Sequence, residues 1–161
     1  MLFRSVIQIL EDLVVQVFRD VLTNCQKELA ILERQIEIPN VPFERVTYSQ
    51  LINELSKKGV ELKFGDDLLD SHLRMVGESH PGLFFLLDWP MSLKPFYIHP
   101  KDDDPLISRS FDLQYGHLEL SSGGRRLHDP KILRARISEQ GLDPESFEEH
   151  LRTFDWGMPP H

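Results

Sequence analysis

The chain has 161 residues, of which 40% are hydrophobic and 27% charged, a balance typical of a folded globular domain. Its net charge of −8 argues against a free-standing nucleic-acid-binding protein, which needs a concentrated basic surface. The single cysteine, Cys25, excludes an internal disulfide and a cysteine-cluster zinc site. No apolar run approaches the roughly 20 residues that span a bilayer, and early acids are atypical of a secretory signal, so we expect a cytoplasmic protein without membrane contact.

The N-terminal region is predicted to be helical. From Ile7 to Leu32 apolar residues recur at steps of three and four, which predicts one long amphipathic helix with Cys25 buried on its apolar stripe. The segment TYSQ, Thr47 to Gln50, has the spacing of a capping box and predicts a helix that closes near Gly59. A third helix is expected after the acids at 66 and 67, ending by Gly77.

Strand patterns follow. The apolar run from Leu83 to Asp88 predicts a buried strand, and Phe96 to His99 is a candidate for another. Two alternating segments around Gly116 predict a hairpin. Asp129-Pro130 and Asp143-Pro144 each place a capping acid before a proline, which predicts two short closing helices. This order of elements predicts an α+β fold, an antiparallel sheet with flanking helices.

The predicted hairpin carries two acids. If Tyr115 and Gly116 form the loop, Asp112 lies directly opposite Glu119. Like charges in this arrangement are destabilising unless a cation lies between them or both side chains point into water. The pair therefore predicts either a magnesium site or a solvated hairpin.

Small residues and a cation follow the second acid. Ser121 to Gly124 let the backbone approach a ligand closely. Arg126, just beyond them, can offer a planar fork of donors to a carboxylate. A cation site and an anion site are thus predicted at one corner of the fold.

Four ordered motifs carry a family resemblance. They are KPFY (94–97), SFDLQYGHLELSSGGRRLHD (110–129), GLDPESFEEHL (141–151) and WGMPPH (156–161). Together they resemble the catalytic domain of aspartyl-tRNA synthetases of the archaeal and eukaryotic type, which are class II aminoacyl-tRNA synthetases. The resemblance implies an antiparallel sheet flanked by helices. It also implies a reaction that joins aspartate to ATP as aspartyl-adenylate, with Mg²⁺, and passes the aspartyl group to tRNA(Asp).

Site residues follow from the resemblance by position. Asp112 and Glu119 match the acids that hold magnesium against the ATP phosphates, and Ser122 matches a serine near the metal. Arg126 matches the arginine that receives the side-chain carboxylate of aspartate, and Tyr97 matches a tyrosine of the amino-acid pocket. Strict alternation places Ser122 and Glu119 on opposite faces, so their shared role requires a bulge or twist in the strand. No residue is assigned a catalytic role.

Residues 1–161 are accordingly expected to form one partial catalytic domain. The three short motifs that define the class are incomplete in them, and the anticodon-binding domain that precedes this domain in the family is absent. We expect the chain alone to form negligible aspartyl-adenylate, and the full-length protein to be a homodimer. Two alternatives stay open: a synthetase-derived asparagine synthetase, and a non-catalytic module that keeps the aspartate pocket. The roles of Arg125 and His128 also stay open.

Overall fold

The computed structural model of the chain describes residues 2–161, with side chains from residue 6 onward. Clustering of backbone contacts gives two compact units, Met1–Glu44 and Arg45–His161. No helix in the described residues is long and apolar enough to cross a membrane. The helices are α1 (Leu2–Asn24), α2 (Gln26–Ile31), α3 (Tyr48–Lys57), α4 (Asp70–Ser79), α5 (Pro130–Glu139) and α6 (Glu148–Asp155), with 3₁₀ turns at Met91–Leu93 and Pro144–Phe147; the strands are β1 (Glu44–Thr47), β2 (Leu83–Leu87), β3 (Ser110–Tyr115) and β4 (Leu118–Gly124).

The first unit contains α1 and α2. The helix that the sequence predicts as continuous is interrupted at Cys25, where φ is −118° and ψ is 31°. Cys25 is half-buried, so its expected role as buried filler is wrong. Of the predicted apolar stripe, Ile7 is buried, whereas Val17 is 51% exposed and Leu32, beyond the interruption, is 66% exposed. Val15, which lies outside the predicted stripe, is buried. Periodicity therefore indicates the extent of the helical region and misses its break.

The second unit is built on a four-stranded sheet in the order β1-β2-β3-β4. Strand β2 pairs antiparallel with β3, and β3 pairs antiparallel with β4. Phe84, Phe85 and Leu86 are all buried, as expected for an apolar run with both faces covered. The predicted antiparallel sheet with flanking helices is confirmed for these strands.

One hydrophobic core joins α3 and α4 to the sheet. Tyr48, Leu51 and Leu55 of α3 are fully buried and cluster with Val76 of α4 and Leu86 of β2. Burial of side chains of this size is worth about 1.5–3 kcal/mol each relative to exposure, so this cluster is a main source of the unit's stability.

The capping box that the sequence predicts for α3 is confirmed. The Thr47 hydroxyl accepts a hydrogen bond from the backbone N–H of Gln50, and the Gln50 side chain accepts one from the Thr47 backbone N–H. The turn after α3 contains Gly59, with φ of +86°. Both ends of this helix can therefore be predicted from the local sequence.

The predicted bounds of α4 are wrong at both ends. The helix begins at Asp70, because the upstream acids cap a turn instead: Asp66 accepts from the backbone N–H of Lys63, and Asp67 accepts from the N–H of Leu68. Gly77 lies inside the helix. A Cβ there would come within 2.7 Å of the backbone nitrogen of His117, so this glycine permits close packing of α4 on the hairpin turn.

A second core lies under the C-terminal helices. Asp129 caps α5 and accepts from two backbone N–H groups, and Asp143 caps the 3₁₀ turn that leads into α6, as the Asp-Pro pairs predict. Tyr97 packs against the cluster between these helices, so it has a structural contact as well as a position near the predicted site. The buried members of this cluster are Leu127, Leu133, Ile137, Leu151 and Phe154.

Candidate active site

The hairpin differs in register from the sequence prediction. Its loop is Gly116-His117, with Gly116 at φ of +58°, a left-handed conformation that suits the first position of a tight hairpin loop. Asp112 therefore faces Ser122, and Glu119 faces Gln114. The expectation that Asp112 and Glu119 lie directly opposite each other is wrong, because the loop is one residue later and a bulge intervenes.

The bulge decides which side chains share a face. The pairing is Gln114 with Glu119 and then Leu113 with Ser121, so Leu120 has no partner. Paired residues point to the same side of a sheet, and residues two apart on one strand do as well. Asp112, Gln114, Glu119 and Ser122 consequently lie on one face. The bulge that the sequence analysis required for Glu119 and Ser122 to act together is present.

Asp112 is a buried carboxylate with one cationic neighbour. It is only 3% exposed, and its Oδ2 lies 3.3 Å from Nζ of Lys94. The Lys94 ammonium also lies 4.1 Å from the centre of the Trp89 ring. Asp112 thus lies between an ammonium and the remaining polar groups of the face.

The pKa of the Asp112 carboxyl is raised above its ordinary value, first because burial disfavours the charged form. The charge and the hydrogen bond of Lys94 lower this pKa, and the charge of Glu119 raises it further. The two acids therefore interact although they are not directly opposed. One ammonium only partly compensates for the negative charge on this face.

The other donors suit a hard divalent cation. Gln114 is 2% exposed, and its Oε1 is buried without a hydrogen-bond partner among the residues that the structure describes. Glu119 and Ser122 are exposed. Two carboxylates, an amide oxygen and a hydroxyl are the ligand types that magnesium prefers. Residues 6–161 contain no group of three or more histidine, cysteine or acidic side chains placed to hold a metal. A cation here would therefore depend also on ligand oxygens such as phosphate.

The predicted anion site lies around Arg126. Its guanidinium carbon is 3.9 Å from the centre of the Tyr97 ring, and both residues are half-buried. No acid lies within ion-pair distance of this guanidinium in the described part of the chain. Stacking on an aromatic ring fixes the plane of the donors and leaves their edge available. Arg126 is thus set up to receive a planar acceptor.

Backbone contacts position this corner. The segment 96–99 forms no strand, contrary to the candidate strand there, and instead makes a single antiparallel bridge between Ile98 and Arg126. The backbone N–H of Leu127 donates to the carbonyl of Tyr97 at 2.8 Å, and that of Arg126 donates to the carbonyl of His161 at 2.8 Å. Tyr97 and Arg126, which the resemblance assigns to one amino-acid pocket, are therefore adjacent, in a local structure that the sequence did not predict.

The acidic segment 102–104 has structural contacts. Asp102 pairs with Arg109, and Asp104 accepts from the backbone N–H of Leu106. The Nδ1 atom of His128 is buried and lacks a hydrogen-bond partner within residues 6–161.

Two residues of the site were not singled out from the sequence. Lys94 belongs to the KPFY motif but had no assigned role, because its partner Asp112 is 18 residues away and no local spacing predicts the contact. Gln114 looked like an ordinary strand residue. The signal that could have found it is its place two residues from Asp112 on the same face of β3.

Comparisons with known proteins identify the family. The family model described as tRNA synthetases class II (D, K and N) matches residues 2–161, so the chain belongs to this family. The resemblance drawn from the four motifs is confirmed. Relatives named aspartate–tRNA(Asp/Asn) ligase from Methanothermobacter thermautotrophicus and Archaeoglobus fulgidus are 45% and 46% identical over 157 residues, 98% of this chain. The chain spans 36% of the length of each of these curated relatives.

Solved structures agree on the fold. An aspartyl-tRNA synthetase from Entamoeba histolytica matches with a TM-score of 0.88 and 28% identity, covering 98% of this chain and 34% of that one. An asparaginyl-tRNA synthetase from Pyrococcus horikoshii matches with a TM-score of 0.88 and 28% identity, covering 98% of this chain and 39% of that one.

Proposed function

We propose that the chain is part of the catalytic domain of an aspartate–tRNA ligase, which activates aspartate with ATP and transfers the aspartyl group to tRNA(Asp). The observation that carries this proposal is the Arg126 guanidinium, half-buried on the Tyr97 ring and without an acidic partner among the described residues. A carboxylate ligand would complete this arrangement. The names of the relatives at 45% and 46% identity support aspartate as that ligand.

Arg126 would select the side chain of the substrate. A guanidinium donates two parallel hydrogen bonds to a carboxylate, and both are strengthened by charge. The amide of asparagine offers only one acceptor oxygen to the same fork, so one donor would be left without a partner. Tyr97 would keep the guanidinium plane oriented through the stacking contact. Specificity for aspartate over asparagine would therefore begin at these two residues.

Asp112 and Glu119 would hold Mg²⁺ against the phosphates of ATP, with Ser122 beside them. Their shared face, and the partly uncompensated charge of Asp112, support this role. When bound, the ion would neutralise phosphate charge and orient ATP for attack by the aspartate carboxylate. The chain's own contribution is to hold Asp112 rigidly in a buried strand while Glu119 reaches the face from the neighbouring strand.

The complete protein would act as a homodimer in the cytoplasm, with ATP, aspartate and tRNA(Asp) as its partners and without contact to a membrane. The tRNA contacts would come mainly from residues outside this chain, because a surface with a net charge of −8 is poorly suited to phosphate binding. The names of the two relatives include both tRNA(Asp) and tRNA(Asn) as substrates of those proteins. Charging of the tRNA for asparagine by the complete protein is a separate question from the activity proposed here.

Ligand binding tests the amino-acid site directly. We expect Arg126→Ala to weaken binding of a non-hydrolysable aspartyl-adenylate analogue by about 2 kcal/mol or more, because a charged, bidentate contact is lost. Isothermal calorimetry on the parent chain and the variant gives the difference. Arg125→Ala is the matched control and should bind like the parent. The asparaginyl analogue should bind the parent more weakly than the aspartyl analogue.

Equal affinity of the parent and Arg126→Ala for the aspartyl analogue would contradict the assignment. The two alternatives have separate tests. A synthetase-derived asparagine synthetase would yield free asparagine when the complete protein receives aspartate, ATP, ammonia and tRNA(Asp), whereas the proposed enzyme yields aspartyl-tRNA. A non-catalytic module would bind the analogue in the complete protein and form neither product.

A further inference from the structure

An ion pair closes the loop that carries the KPFY motif. After β2 the chain leaves the sheet, passes through the 3₁₀ turn and then through the motif at 94–97. Nζ of Lys101 donates to Oδ2 of Asp88 at 2.7 Å, and these two residues are 13 positions apart. Compact loops of about this length, with their ends close together, are frequently functional. Residues 88–101 therefore form one loop, the KPFY loop, with a charged pair at its base.

The pair reaches across an extended segment of the chain. Residues 106–109 lead into β3 and lie between the two ends of the KPFY loop. On one side the backbone N–H of Ser108 donates to the carbonyl of Trp89 at 2.8 Å, and on the other the N–H of Lys101 donates to the carbonyl of Ile107 at 2.8 Å. Neighbouring strands lie about 4.8 Å apart, so the two outer backbones are separated by about 10 Å, which a lysine and an aspartate side chain together can span.

Asp88 has an uncommon backbone conformation. Its φ is +60°, in the left-handed region where glycine is the usual residue, and Glu33 is the only other non-glycine residue with a positive φ in the part of the chain that the structure describes. Such conformations persist where surrounding contacts fix them, and they concentrate at ligand sites. The side chains of Asp88 and Lys101 are 28% and 30% exposed, so solvent screens their attraction less than that of a fully exposed pair. The contact with Lys101 is thus one of the interactions that fix this turn.

The returning part of the loop positions Tyr97 on Arg126. The backbone carbonyl of Tyr97 accepts from the N–H of Leu127 at 2.8 Å, and the N–H of His99 donates to the carbonyl of Arg125 at 2.8 Å. The centre of the Tyr97 ring lies 3.9 Å from the guanidinium carbon of Arg126. This part of the loop is therefore docked on the segment that carries Arg126, only two residues before the ion pair. A movement at the base of the loop would be transmitted to the ring that orients the guanidinium.

We propose that Asp88 and Lys101 are positioning residues for the substrate aspartate. Their ion pair keeps the KPFY loop closed, so that Tyr97 holds the guanidinium of Arg126 in one plane. This inference rests on the proposed function, which assigns the aspartate carboxylate to Arg126. Both residues act through the loop and not by contact with the ligand. A loop with an open base samples more conformations, and the ligand would have to order it on binding. The pair therefore contributes to the affinity for aspartate by organising the pocket in advance.

Substrate kinetics of the complete protein test the inference. ATP–pyrophosphate exchange gives the KM for aspartate and the KM for ATP separately, for the parent, Lys101→Met, Asp88→Asn and the double variant. We expect each single variant to raise the KM for aspartate about fivefold or more, with the KM for ATP changed less than about twofold. The double variant should resemble either single variant, because all three lack the same pair. Lys101→Arg keeps the charge and should behave like the parent. Arg74→Met, which removes the 2.8 Å ion pair with Asp70 within α4, is the control and should change neither KM.

Hydrogen exchange gives a second readout that does not require activity. The backbone N–H groups of His99 and Leu127 join the loop to the segment that carries Arg126. In Lys101→Met we expect both to exchange with deuterium about tenfold faster than in the parent, because the loop opens more often. The amides within α3 should exchange at unchanged rates. Mass spectrometry of peptides from the exchanged protein measures the difference.

The outcomes separate this inference from the proposed function. An aspartate KM that is unchanged in Lys101→Met but raised in Arg126→Ala would overturn the positioning role and leave the proposed function in place. A lower kcat with both KM values unchanged in Lys101→Met, or an equal rise in both KM values, would show a merely structural pair and also overturn the positioning role. An aspartate KM unchanged in both variants would overturn both proposals.

Two further cases are decided by the same set of variants. If the complete protein catalyses no pyrophosphate exchange, the proposed function fails, and unchanged deuterium exchange at His99 and Leu127 in Lys101→Met would overturn the closure of the loop as well. Circular dichroism checks that each variant folds. If Lys101→Met does not fold, Asp88→Asn removes the same ion pair, and asparagine tolerates a positive φ.

Discussion

At the scale of single residues, two acids of this site differ in their electrostatic properties because they differ in burial. Asp112 and Glu119 are both acids on one sheet face, yet Asp112 is 3% exposed and Glu119 is exposed. Of these two acids, only Asp112 contacts Lys94. Burial disfavours the charged form of the Asp112 carboxyl. Arg126 is a cation in a half-buried position, and stacking on the Tyr97 ring orients its guanidinium without neutralising its charge. Each charge is thus positioned for a ligand of complementary charge.

The raised pKa of Asp112 predicts a pH dependence of stability. The Asp112 carboxyl of the unfolded chain ionises at its ordinary pKa, which is lower than its pKa in the folded chain. The contribution of Asp112 to stability is therefore complete below the ordinary pKa and is lost as pH rises through the higher folded pKa. We expect the stability of Asp112→Asn relative to the parent to increase as the pH is raised from about 3 through and above the ordinary carboxyl pKa of about 4. Urea unfolding in the presence of a chelator measures the difference. A relative loss of stability by the variant over this range would contradict the prediction.

At the scale of elements, the hairpin and helix α4 show how packing refines a local pattern. Alternation predicts β3 and β4, but the bulge at Leu120 changes which residues share a face. Gly77 was interpreted as a helix end because glycine often ends helices. It lies inside α4, because a side chain there would meet the backbone of Gly116 and His117. The glycine that looks like a helix terminator is a contact point between two elements.

Gly77 predicts a sharp difference between two alanine substitutions. A Cβ at Gly77 would come within 2.7 Å of the His117 nitrogen and 2.9 Å of the Gly116 carbonyl carbon, so α4 or the hairpin turn would have to shift. We expect Gly77→Ala to lower the free energy of unfolding by about 1–3 kcal/mol, in spite of the higher helix propensity of alanine. Gly82→Ala is the matched control, since a Cβ at Gly82 meets no atom within 4 Å. Chemical denaturation compares the two. Equal stability of both variants would show that α4 does not need this close approach.

At the scale of the whole molecule, the chain combines one helical unit with one sheet unit and spans 36% of the length of its curated relatives. The sheet unit contains the candidate residues for both the carboxylate and the cation. The resemblance implies that the class II motifs carrying the arginines for the α-phosphate of ATP are incomplete in these residues. We therefore expect this chain to hold binding groups separately from the full catalytic machinery.

This separation predicts that the 161 residues alone form negligible aspartyl-adenylate. Stabilisation of charge that develops in a transition state typically supplies several kcal/mol, and the resemblance implies that the motifs providing it at the α-phosphate are incomplete in this chain. ATP–pyrophosphate exchange with aspartate measures the reaction directly. The complete protein is the control and should exchange at a rate typical of a synthetase. Exchange by the isolated chain at that rate would refute the prediction.

Much of the fold could be predicted from the sequence because its signals are local. The capping box at Thr47, the Asp-Pro caps and the apolar strand at 83–87 depend on residues within a few positions of one another. The candidate site was predicted through its motifs, which also identified the family. The start of α4 and the break at Cys25 could not be predicted, because competing turn and helix hydrogen bonds differ there by small free energies.

The sequence by itself determined most of the elements, the family and the identities of the candidate ligands, since local periodicity, capping and motif spacing are properties of neighbouring residues. Only the tertiary structure decided that Glu119 faces Gln114, that one bulge brings Ser122 opposite Asp112 on the same face, and that Lys94 approaches Asp112. The physical reason is that a slip of one residue in register turns a side chain to the other face of a sheet. A contact between residues 18 positions apart depends likewise on how the intervening chain packs.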